Sequence, residues 1–111
     1  MTDPLRARSE VVTTEEVLVE GLNYFSAHRS EAKDSAVKTV IALLGRDDIR
    51  VMSQSRASFR KGLDFYKARL DKGYSLTDCI SMNVMKAEGL TEVLTNDEHF
   101  AQEGFRALFR A

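Results

Sequence analysis

Three carboxylates, Glu20, Asp78 and Asp97, stand at positions where an α/β chain can do chemistry. Glu20 falls about two turns into a helix that follows a β-branched stretch. Asp78 sits in the first turn of a later helix, and Asp97 comes two residues after Thr95, at the end of an apolar stretch. In open α/β sheets ligands collect at the carboxyl ends of the strands, so acids placed there can serve one site. Each acid also has a plainer role. Asp78 completes a capping box with Ser75, Asp97 suits a turn or cap, and Glu20 suits a solvated helix edge.

The other reactive residue types narrow the chemistry. Cys79 is the lone cysteine, which excludes an internal disulfide, and no His or other base accompanies it in the local sequence. It reads as a small buried apolar residue rather than a nucleophile. His28 and His99 show no zinc-binding spacing with it. Gly73, Gly89 and Gly104 read as helix-end or turn glycines, because their spacing fits no phosphate-cradling loop.

Charge is balanced overall but not along the chain. The net charge of -1 excludes a protein that works by blanketing a nucleic-acid backbone. Arg46 to Lys72 nevertheless carries eight bases against four acids, and both flanks are acidic. Within that stretch Arg56, Arg60 and Lys67 share a helix face opposite a Phe59/Leu63/Tyr66/Leu70 stripe. That face is either simply solvated or able to hold phosphates; the stripe reads as core.

The elements that must position these residues follow from periodicity. At 111 residues and 43% hydrophobic content the chain suits a single domain with its own core. Glu10–Thr14 reads as a strand, and Thr13 with Glu16 forms a capping box opening a helix that carries Val17, Leu18, Leu22 and Phe25 to about Arg29. A second helix runs from Ser30 to Gly45. Ile49–Ser53 is a strand, about Ser55 to Lys72 a helix, and Ser75 with Asp78 opens a helix toward Gly89. Glu92–Thr95 and Phe105–Phe109 are the remaining strands. Strands alternating with helices imply an α/β fold, a doubly wound parallel sheet with helices on both faces. No apolar run approaches the ~18 residues of a membrane span, and the polar opening has no signal-peptide stretch, so a cytoplasmic setting is expected.

Taken together the words around the acids resemble the PIN-domain family. Tyr74-Ser75-Leu76-Thr77-Asp78-Cys79-Ile80-Ser81 looks like that family's third acidic motif. Leu94-Thr95-Asn96-Asp97-Glu98-His99-Phe100, with Gly104-Phe105 after it, looks like the fourth. Val12-Thr13-Thr14-Glu15-Glu16-Val17-Leu18-Val19-Glu20 is similar to the second. The resemblance implies a magnesium- or manganese-dependent endoribonuclease, often the toxin of a Vap-type toxin–antitoxin pair. By that match Asp78 and Asp97 would bind metal, Glu20 would be a ligand or water-positioning acid, and Thr95 and His99 would support the site. Hard cations prefer carboxylate oxygens, which agrees with this set. The three carboxylates are then expected within about 10 Å of one another. The basic face at Arg56, Arg60 and Lys67 would hold RNA.

The chain departs from that pattern at its start. PIN domains open on an apolar strand ending in Asp-Thr-Ser or Asp-Ser-Ser, whereas the early acids here, Asp3 and Glu10, follow no apolar run. The resemblance therefore implies a domain lacking its first strand and following helices, with a gene that starts upstream. That strand is the middle of the family's sheet. Two half-sheets are expected without it, either about 9 to 10 Å apart, twice the ~4.8 Å strand spacing, or collapsed onto each other. The alternative function is an inactive remnant that acts as a protein-interaction module. Leu22, Phe25, Leu43 and Leu44 exceed one core stripe and suggest a protein antitoxin or a second copy of the chain as partner.

Overall fold

The computed structural model describes residues 11–93 and 98–107, and the chain divides into two compact units, Met1–Gln54 and Ser55–Ala111. The first unit runs β1 (Val11–Thr14), α1 (Glu15–Phe25), α2 (Ser30–Leu44) and β2 (Ile49–Met52). The second runs α3 (Arg56–Ala68), α4 (Leu76–Ala87), β3 (Glu92–Val93), α5 (Glu98–Gln102) and β4 (Arg106–Ala107). Each unit holds one parallel strand pair, β1 with β2 and β3 with β4. A parallel pair cannot be closed by a tight turn, so helices must make the connection. These are the two strand pairs that the sequence reading expects.

In the first unit the register sets Val11 opposite Ile49 and Thr14 opposite Met52. Arg46 donates two hydrogen bonds to Asp48, at 2.8 and 2.7 Å, and the Asp48 carbonyl accepts from Val11 N–H at 2.8 Å. The turn before β2 is thereby tied to the start of β1. At the other end Glu15 Oε1 accepts from Gln54 N–H at 2.6 Å. The cap of α1 is Thr14, not Thr13: Thr14 is extended, at φ −124° and ψ 156°, and its hydroxyl accepts from Val17 N–H at 3.2 Å. Thr13 stays in the ladder opposite Val51, so the chain leaves extended geometry one residue later than the capping pattern suggests. No residue of α1 or α2 is buried. Tyr24, Ile41 and Leu44 are well exposed, while Leu22, Phe25 and Leu43 are half-buried.

The core lies in the second unit. Tyr74, Cys79, Met82, Met85, Phe100 and Phe105 form one buried cluster, with Phe65, Leu90 and Val93 packed against it. Cys79 and Met82 are wholly buried, and desolvation pushes the Cys79 thiol above its ordinary pKa, in keeping with an inert packing role. Helix α4 starts with both bonds of the expected capping box. The Ser75 hydroxyl accepts from Asp78 N–H at 3.0 Å, and Asp78 Oδ2 accepts from Ser75 N–H at 3.1 Å. The short helix α5 has no counterpart in the sequence reading.

One packing expectation fails. Phe59, Leu63, Tyr66 and Leu70 are 47, 45, 41 and 74% exposed, so the stripe is not core. The inward face is Ser58, Gly62, Phe65 and Arg69, about a quarter turn round the helix. Gly62 is buried because α4 comes so close that a Cβ there would collide with Ile80 Cγ1. Hydrophobic periodicity cannot find a face whose key residue has no side chain. Arg56, Arg60 and Lys67, all exposed, lie opposite this true inward face, with the stripe between.

Candidate functional site

Of the residues named from sequence, the described structure brings His99 to Asp78. His99 Nδ1 lies 3.3 Å from Asp78 Oδ2, a hydrogen bond when that nitrogen carries the proton. Asp78 Oδ2 thus faces two donors, the Ser75 N–H and His99. Oδ1 carries no hydrogen bond within the described residues. The Asp78 side chain is 17% exposed, enough for a ligand to reach it. One turn on along the same face, Ser81 Oγ is buried with no hydrogen-bond partner among the described residues. Glu20 is exposed on α1 in the first unit. Asp97 and Thr95 lie outside the described residues.

A hard cation would find one pre-oriented carboxylate oxygen here. Among the described residues no three His, Cys, Asp or Glu form a metal-holding group. The donor chemistry still fits magnesium, which keeps several waters and is commonly held by one or two carboxylates plus substrate phosphate. A lone carboxylate with one oxygen fixed by N–H donors presents the other in a defined direction.

Behind His99 lies a network that the sequence did not announce. Glu103 accepts from Arg69 Nε at 2.9 Å, from Arg69 Nη2 at 3.3 Å and from the Tyr74 hydroxyl at 2.8 Å. The Glu103 side chain is 9% exposed, so these donors replace most of its water. The Arg69 guanidinium also stands 5.0 Å from the Phe65 ring centre, and the Lys86 ammonium 4.5 Å from it. Hydrogen bonds from Arg69 hold the Glu103 carboxyl below its ordinary pKa. Burial, and then the bond to Glu103, push the Tyr74 phenol up to about 12, so it remains a donor at any ordinary pH. The signal that could have found this network is weak, since the three residues are far apart in sequence.

This pair has a pH consequence. A carboxyl more acidic folded than unfolded contributes stability above its unfolded pKa, and that contribution fades as pH falls through the lowered value. Wild type should therefore be more stable than Glu103→Gln at neutral pH, and the gap in melting temperature should close as pH falls below the ordinary carboxylate range. Melting curves of the two proteins across that range check this; a gap that stays constant would mean that the charge of Glu103 contributes nothing.

No protein-family model matches the sequence, and no curated protein does. Among solved structures the chain is similar to Mycobacterium tuberculosis VapC20, a sarcin–ricin loop cleaving toxin. The TM-score is 0.76 at 22% identity, over 87% of this chain and 72% of that one. Parallel strand pairs, the helices between them and this likeness agree with the α/β reading: the chain has the fold of a PIN-type, VapC-like domain.

Proposed function

We propose that this protein is a metal-dependent endoribonuclease of the toxin type. The observation that carries the reading is the Asp78 carboxylate, fixed at the start of α4 by Ser75 and His99, in a fold like that of an RNA-cleaving toxin. In this reading Asp78 Oδ1 and Asp97 hold magnesium or manganese, and Glu20 is a further ligand or positions water. Such an ion supplies charge neutralisation on the phosphate and activation of the attacking water. Thr95 supports the acids, and His99 keeps Asp78 Oδ2 occupied. Arg56, Arg60 and Lys67 hold RNA phosphates, contacts that weaken with salt. The setting is the cytoplasm; among the described residues no helix is long and apolar enough to cross a membrane.

The neighbour makes a sarcin–ricin stem-loop the first RNA to try. Cleavage of such an RNA with manganese or magnesium, stopped by EDTA and restored by added metal, is the expected result. Cleavage that survives EDTA would sink the metal-dependent reading. A protein antitoxin or a second copy of the chain is the expected partner. The exposed Tyr24, Ile41 and Leu44 favour a second reading, an interaction module without hydrolysis. That reading gains if the protein neither cleaves RNA nor binds metal.

A further inference from the structure

Asp78 is held by more than its own cap. The ring of His99 meets Tyr74 edge-on, with centroids 5.3 Å apart, and Tyr74 is 4% exposed. The Tyr74 hydroxyl is in turn held by Glu103, which Arg69 grips through two nitrogens. His99 also approaches Gly73: a Cβ at that position would stand 3.2 Å from His99 Nε2. The imidazole is therefore packed against a buried phenol and lies close to a backbone position where even one added carbon would be tight. Its Nδ1 is aimed at Asp78 Oδ2.

We propose that Tyr74 and His99 are positioning residues for Asp78, a relay from the Arg69–Glu103 pair to the carboxylate that orients Oδ1 toward a divalent cation. This inference rests on the metal-dependent reading given above. Its physical basis is general: a ligand whose second oxygen is hydrogen-bonded loses rotational freedom and points its remaining lone pairs one way. Partners that orient metal ligands in this manner are commonly worth about 10- to 100-fold in affinity or activity. Gly73 matters to the relay because it lets His99 sit flush against the loop.

The test is manganese binding without RNA, read by the electron spin resonance of free Mn2+ well below each variant's melting temperature. His99→Leu should weaken binding about tenfold or more. His99→Asn places an amide N–H near the Nδ1 position and should recover most of that loss. Gly73→Ala should weaken binding several-fold, because the new Cβ would stand 3.2 Å from His99 Nε2 and the ring would have to give by a few tenths of an ångström, without any change at Asp78 itself. Tyr74→Leu should resemble His99→Leu; if it fails to fold, Tyr74→Phe, which keeps the ring edge but cuts the bond to Glu103, should weaken binding several-fold. A merely structural role would lower melting temperatures and leave Mn2+ affinity alone. Wild type that binds Mn2+ while His99→Leu and Gly73→Ala bind within about twofold of it overturns the relay only. Wild type that binds no Mn2+ removes the metal-dependent reading itself, and the relay with it.

Discussion

Asp78→Asn is expected to reduce metal-dependent RNA cleavage by about a hundredfold or more, since a metal-held carboxylate supplies several kcal/mol of transition-state stabilisation. The same substitution should cost little stability. The asparagine carbonyl can still accept the Ser75 N–H bond that closes the capping box, and what is lost is the carboxylate's attraction to the helix amino end, about 0.3–1 kcal/mol. That corresponds to a few degrees at most in melting temperature. Asp78→Ala, by contrast, also removes the acceptor of the Ser75 N–H, one half of the capping box, at about 1 kcal/mol, while the Ser75 hydroxyl keeps its bond from the backbone N–H of residue 78. The pair separates chemistry from capping. Asparagine that is inactive yet stable identifies Asp78 as part of the site. Asparagine that cleaves RNA at the wild-type rate would leave the residue as a helix cap and nothing more.

Gly62→Val is expected to lower stability by about 2–3 kcal/mol, or roughly 10 °C or more, the scale of an overpacked core. The new side chain would have to enter the space held by Ile80, whose Cγ1 collides with even a single Cβ and whose Cδ1 would stand at 3.4 Å. Gly62→Ala should be milder. Removing a glycine from a helix interior favours the helix by about 1 kcal/mol, which offsets part of the clash. Pairing Gly62→Val with Ile80→Ala should recover stability, because the two side chains compete for one volume and their effects cannot add. Thermal melts of the three proteins measure this. A Gly62→Val protein that melts with wild type would mean that α3 and α4 do not pack as closely as the structure places them.

Much of the local organisation was legible in the sequence. The Ser75–Asp78 capping box and most of the helices and strands, though not α5, rest on interactions that span a few residues. Pattern and spacing record such interactions directly. The likeness of the surrounding words to PIN-domain motifs pointed to an α/β fold, and the observed fold agrees with that.

Only the tertiary structure decided which face of α3 turns inward. Phe59, Leu63, Tyr66 and Leu70 form the more apolar stripe, yet the closest approach to α4 is made through Gly62, where an absent side chain matters more than hydrophobicity. The cap of α1 moved from Thr13 to Thr14 for a related reason: the register opposite β2 holds Thr13 in the strand, and register is not written in either strand alone. The support of Asp78 lay further out of reach. Arg69 and Glu103 are 34 residues apart, Tyr74 and Glu103 are 29, and Asp78 and His99 are 21. Local spacing carries capping and periodicity because both act within a turn or two of helix. It carries no trace of contacts made when distant segments close on one core.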